Sequence, residues 1–217
     1  MKAENRHLAW GWLAAVALYF IFATQSVMAG ITGSAHDFKA ATWNTGGQIC
    51  IVCHAPHNNG STGLLWNHTQ STATYTLYSS STLNASSLNT TGPQTKLCLS
   101  CHDGTVAVDS FTGKAGTPAA GVISTLNNIG GGTVGGTTAN LADDHPVGFA
   151  YNAALFGADP GLKDPASLPA TIKLFGTTGQ MECATCHDVH NGTGTIASKL
   201  LRVGNTASAL CLTCHNK

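Results

Sequence analysis

The chain has 217 residues, with ten Lys/Arg against ten Asp/Glu, and charged residues make up only 9% of it. No basic patch stands out, which makes nucleic acid an improbable partner. Gly (25 residues), Thr, Ser, Ala and Asn are abundant, so the composition reads as loops, and a purely polypeptide core of ordinary helices is hard to build from it.

The chain opens with a targeting segment. Lys2 and Arg6 form a short basic start, Leu8 to Ala23 carries no charge, and Val27-Met28-Ala29 sets small residues where a signal peptidase cuts. A signal peptide over 1–29 with Gly30 as the new N-terminus is the reading adopted. The alternative, an uncleaved anchor, needs about 20 apolar residues, and this charge-free core has 16. Removing 29 residues leaves 188, with 8 Lys/Arg and 9 Asp/Glu.

All eight cysteines then fall into four Cys-x-x-Cys pairs, each followed directly by His: Cys50/Cys53/His54, Cys98/Cys101/His102, Cys183/Cys186/His187 and Cys211/Cys214/His215. Two thiols three positions apart reach the two vinyl groups on one edge of a porphyrin, and the next residue turns its imidazole beneath the iron. A zinc ribbon has no need of a His after every pair. A disulfide scaffold suits export but explains neither the pairing nor the His, and thioredoxin-type chemistry wants one motif. The motifs predict four covalently attached c-type haems, with His54, His102, His187 and His215 as proximal ligands. At 47 residues per haem, the porphyrins themselves become the core, wrapped by irregular chain with short helices at the haem motifs and few short strands. Without haem no stable fold is expected.

The far side of each iron decides between electron transfer and catalysis. Beyond the signal segment and the proximal residues, five histidines remain: His36, His57, His68, His145 and His190. Met181 is the one methionine left, so at least three haems cannot be His/Met. The economical reading is bis-His ligation at all four irons, with one His to spare. His57 follows His54 by three residues, and His190 follows His187 by three. On a helical turn such pairs share a face. A residue there cannot pass around the porphyrin to its own haem's far side but can reach a neighbouring haem. His145 sits in a Pro-fixed acidic loop, Asp143-Asp144-His145-Pro146. His68 follows the apolar Leu64-Leu65-Trp66-Asn67, and His36 lies near the new N-terminus, a distal candidate that could also be the surplus residue or ligate a haem in another subunit.

The motifs also repeat. Cys50 to Asn58 reads CIVCHAPHN and Cys183 to Asn191 reads CATCHDVHN; Leu97 to His102 reads LCLSCH and Leu210 to His215 reads LCLTCH. This is a doubled two-haem module: one module over 30–110, a connector over 111–180, and a second module over 181–217, within a single elongated tetrahaem domain spanning 30–217. The connector, rich in Gly, Thr and Asn, is expected to be irregular, with short strands near Gly121 to Leu126.

In order, Ser-Ala-His-Asp, Cys-x-x-Cys-His-Ala-Pro-His-Asn, Leu-Trp-Asn-His, Leu-Cys-Leu-Ser-Cys-His-Asp-Gly, Asp-Asp-His-Pro-Val-Gly-Phe and Cys-His-Asp-Val-His resemble the doubled-CXXCH multihaem cytochromes. More narrowly, they are similar to the OmcE-like extracellular tetrahaem cytochromes of metal-reducing bacteria. The resemblance covers nearly all of the chain after residue 29. It implies bis-His haems, one distal His donated by an adjoining subunit, and head-to-tail polymerisation into a secreted conductive filament, a nanowire. Its partners would be identical subunits, other redox cytochromes and external electron acceptors. A soluble periplasmic shuttle is the alternative. A multihaem reductase needs an open iron, and there are enough histidines to close all four, so no enzyme activity is expected.

Overall fold

The computed structural model describes residues 30–57, 65–90, 92–114, 116–117, 121, 127–190 and 198–216. The signal peptide expected at 1–29 lies outside the described residues, as do all but the first of the residues expected as strands near Gly121 to Leu126. Regular structure is sparse. Strand β1 (Thr74–Leu77) pairs in parallel with β2 (Thr138–Leu141), in a register running from Thr74 opposite Thr138 to Leu77 opposite Leu141. Alternation along β2 turns Ala139 and Leu141 inward and leaves Thr138 and Asn140 exposed, the two-residue period of a half-buried strand. Strand β3 (Phe149–Ala150) pairs antiparallel with β4 (Gln180–Met181).

Among the described residues, four short α-helices complete the framework. Helix α1 (Pro93–His102) starts on a proline, whose missing N–H is no loss at a helix start. Helix α2 (Ala153–Ala158) is capped by the Asn152 side chain, which accepts from the Leu155 N–H at 3.1 Å. Helices α3 (Cys183–Cys186) and α4 (Cys211–Cys214) are single turns confined to their haem motifs. Helices therefore sit at three of the four motifs. At Cys50 the chain makes turns instead, with the Cys53 and His54 N–H groups both donating to the Cys50 carbonyl. No described helix is long and apolar enough to cross a membrane.

The connector is more ordered than its composition suggests. It supplies β2, β3 and α2, and four of its residues (Phe149, Tyr151, Leu155 and Leu162) form a buried apolar cluster with Met181, against which Leu88, Leu168, Leu174 and Cys214 pack. These large residues stand singly among small polar ones, so no helical or strand period announces them. Gly148 shows how tightly this region is closed. Its φ is +75°, and a Cβ there would fall 1.7 Å from the Asn89 carbonyl oxygen, so glycine is required.

Candidate haem-attachment sites

Three of the four motifs are each held by a backbone bracket. Around the first, the Ala55 N–H donates to Leu65 and the Asn67 N–H to Cys53, with His54 bridged to Trp66. Around the third, the Asp188 N–H donates to Leu200 and the Arg202 N–H to Cys186, with His187 bridged to Leu201. The two brackets are the same construction, and both contain a leucine forced to positive φ, Leu65 at 51° and Leu200 at 55°. The fourth motif is bracketed from upstream: the Lys163 N–H donates to Cys214 and the Asn216 N–H to Gly161, with Leu162 bridged to His215. The second motif alone lies inside a longer helix.

The His-x-x-His turns expected to be helical are not. His187 is extended (φ −108°, ψ 143°), and so is His215 (φ −106°, ψ 146°), because the helix ends at the second cysteine. This departure frees the later histidine to cross to another motif. His190 faces His54, with ring centroids 6.0 Å apart and planes 22° apart. His36 faces His102 at 6.0 Å and His145 faces His215 at 6.4 Å. Two imidazoles on opposite sides of one metal, each at a bond of about 2 Å, have centroids roughly 6 Å apart, a distance that ordinary ring contacts of roughly 4.5–7 Å also span. The spacing thus fits an iron between each pair.

Ring tautomers agree with that fit. The Nδ1–H groups of His102, His187, His68 and His145 donate to the carbonyls of Asn127 (2.8 Å), Lys199 (2.9 Å), Thr69 (2.9 Å) and Pro146 (2.9 Å). A carbonyl can only accept, so Nδ1 carries the proton and Nε2 keeps its lone pair for a metal. Burial, reinforced by the neighbouring His102 and His187, lowers the His36 pKa to about 4, so its ring is neutral at any pH well above that.

Of the five predicted distal candidates, three are thus brought opposite a proximal residue. His187 has no imidazole facing it at such a distance among the described residues. Of the two left over, His57 is exposed and His68 is buried, with its Nε2 3.6 Å from Cys101 Sγ.

None of the eight cysteines is in a disulfide. Before any attachment, burial pushes the thiols of Cys53 up to about 11, Cys101 up to about 12 and Cys186 up to about 11. Successive motifs lie within electrostatic reach of one another: Cys53 acts on Cys101, Cys98 hydrogen-bonds with Cys183, and Cys211 and Cys214 act on Cys186. The four attachment points therefore neighbour one another in chain order.

Two buried acids hold the middle of this row, and neither was identified from sequence. Glu182, 1% exposed, accepts from the N–H groups of Gln94 and Thr95 at 2.8 Å each, capping α1 from the residue next to Cys183. A Cβ on Gly92 would meet that carboxylate at 2.6 Å, so the approach needs glycine. Asp103, fully buried after His102, accepts from the Thr105 N–H (2.7 Å), the Thr105 hydroxyl (2.9 Å), the Tyr75 hydroxyl (2.6 Å) and the Ser71 hydroxyl. The sequence offered one signal for each, an acid adjoining a haem motif, and an isolated acid beside a motif is too common to single out.

The residues present fit covalently attached haem: paired thiols, a following imidazole and, at three of the four motifs, a second imidazole across a metal-sized gap. Residues 177–217 match the family described as Doubled CXXCH motif, which takes in the third and fourth motifs. That match supports a multihaem c-type cytochrome and so a haem-binding, electron-transferring chain. No curated protein matches the chain.

Proposed function

We propose that this chain is a tetrahaem c-type cytochrome for long-range electron transfer, which polymerises head to tail into an extracellular filament delivering respiratory electrons to outside acceptors. The observation that carries the electron-transfer reading is the set of three imidazole pairs at 6.0 to 6.4 Å, each joining a proximal histidine to a residue distant in sequence. In this assignment Cys50/Cys53, Cys98/Cys101, Cys183/Cys186 and Cys211/Cys214 hold the four haems as thioethers. His54 and His190, His102 and His36, and His215 and His145 are the axial pairs of three of them. When bound, each haem supplies a one-electron iron couple, and two imidazole ligands keep that iron closed to substrate. The protein's part is to fix the His102 and His145 imidazoles through their Nδ1–H bonds and to keep the four motifs adjacent.

His187 completes the proposal. It is exposed, as is His57, and His57 stands to His54 as His190 stands to His187. An exposed proximal histidine and an exposed spare one are what a repeating contact between copies can use, and a contact that does not close on itself builds a filament. The same His57 reaching His187 within one chain would make the molecule self-sufficient, and that favours the second reading, a soluble periplasmic shuttle.

Electron microscopy of the cell-free fraction separates the two. Continuous filaments are expected; discrete monomers would sink the polymer reading while leaving electron transfer intact. Electron paramagnetic resonance of the ferric protein tests ligation, with low-spin signals expected from all four haems. A high-spin signal from one haem in the assembled protein would overturn the bis-His assignment and favour a reductase.

A further inference from the structure

The extended conformation of the histidines poses a problem that three side chains solve. In a helix, the carbonyl of the residue after the first cysteine would accept from the residue after the histidine. When the chain leaves the helix at the histidine, that carbonyl becomes an orphan of the helix C-terminus. In the second motif the helix continues, and the Asp103 N–H donates to Leu99 at 3.1 Å in the ordinary way.

In the other three motifs a side chain takes over. Asn67 Nδ2 donates to the Ile51 carbonyl at 2.5 Å, Arg202 Nε to the Ala184 carbonyl at 2.7 Å, and Lys163 Nζ to the Leu212 carbonyl at 2.5 Å. Ile51, Ala184 and Leu212 occupy the same place in their motifs, directly after the first cysteine. Asn67, Arg202 and Lys163 likewise occupy the same place in their brackets, since each also donates its backbone N–H to the second cysteine. One comes from the first half, one from the second and one from the connector, so the doubling of the sequence does not account for all three. Two are cations at a helix C-terminus, the end that favours positive charge. Arg202 also lies 3.6 Å from the Asp188 carboxylate, which steadies it from the far side.

We propose that Asn67, Lys163 and Arg202 are positioning residues that hold the proximal histidines His54, His215 and His187 in extended backbone beyond the motif's turn and so set the angle of each imidazole at its iron. Each substitutes for the backbone donor that the departing chain withdraws. Asn, Lys and Arg share only a terminal N–H donor, so the geometry requires a donor of sufficient reach and not a particular side chain. The inference rests on the tetrahaem reading above.

The test uses the full, exported, haem-loaded chain with Arg202→Met, Lys163→Met and Asn67→Leu, and the conservative variants Arg202→Lys and Lys163→Arg. Mass spectrometry gives the haem count, and low-temperature electron paramagnetic resonance with redox titration gives each ferric signal and potential. In the donor-less variants one low-spin signal and its potential are expected to move while the others stay, a different one for each variant. Arg202→Lys and Lys163→Arg are expected to restore the parental signals. A merely structural bond would lower stability without displacing a single haem's signal. Signals unchanged in the donor-less variants, all signals displaced together, or failure of the conservative variants to restore them would each overturn the proposal. Should Arg202→Met not accumulate, the half-buried Lys163 site still decides between these outcomes. A parent chain carrying fewer than four haems would sink the tetrahaem reading alone. A four-haem parent with insensitive variants would sink the positioning role alone.

Discussion

The surroundings of the second haem motif and those of the fourth are built on opposite principles. Behind His102, Asp103 gathers Ser71, Tyr75 and Thr105 into a buried polar knot, continued by Ser110 donating to Thr69 at 2.7 Å. Beside Cys214, the side-chain packing is apolar, from the cluster of Phe149, Tyr151, Leu155, Leu162 and Met181, with the Tyr151 hydroxyl also donating to the Cys214 carbonyl. A polar knot fixes one geometry, because each donor lost leaves a buried group unsatisfied. An apolar cluster holds by area and volume and adjusts when perturbed. One tether is stiff and the other yields.

Withholding haem has the largest expected effect, and it tests whether either tether survives without the cofactor. A chain produced without haem attachment is expected to show no cooperative unfolding transition by circular dichroism, because neither tether alone encloses enough apolar surface. A retained transition would assign the apolar cluster an independent core. Next comes Asp103→Leu in the haem-loaded protein, expected to cost about 4 kcal/mol in chemical denaturation because several buried donors lose one shared acceptor. Leu155→Ala, the apolar counterpart, is expected to cost about 3 kcal/mol with haem spectra unchanged. Equal spectral disturbance by both would erase the distinction between the tethers. Glu182→Ala is expected to cost about 2 kcal/mol by uncapping α1, and to weaken magnetic coupling between the haems at Cys98 and Cys183. Smallest is Tyr75→Phe, which removes one hydroxyl from the knot and is expected to cost about 1.5 kcal/mol.

The parts of the site legible in sequence were those whose chemistry is local. A thiol, two spacers, a thiol and an imidazole make a haem-attachment unit by spacing alone, so the eight cysteines and four proximal histidines could be named at once. The short-element architecture was legible too, from glycine and threonine content. The helical reading of His187 and His190 went astray because it extended the helix past Cys186. The structure ends it there, with Arg202 taking over the orphan carbonyl at Ala184. The connector was underestimated because Phe149, Tyr151, Leu155 and Leu162 belong to no period that a window can detect. Glu182 and Asp103 carried no signal beyond their proximity to a motif.

By itself, then, the sequence determined that the chain carries four Cys-x-x-Cys-His motifs, which thiols and imidazoles each presents, and that five further histidines past residue 29 are candidates for the far sides. Those facts follow from covalent spacing and counting, which need no knowledge of distant contacts. Only the tertiary structure decided that His190 faces His54, that His36 faces His102 and that His145 faces His215. It likewise decided that Glu182 caps α1 and that side chains from three separate segments serve three motifs in one way. Such pairings depend on where the backbone brackets bring residues far apart along the chain. That is settled by packing and by the need to satisfy every buried donor and acceptor, not by any local pattern.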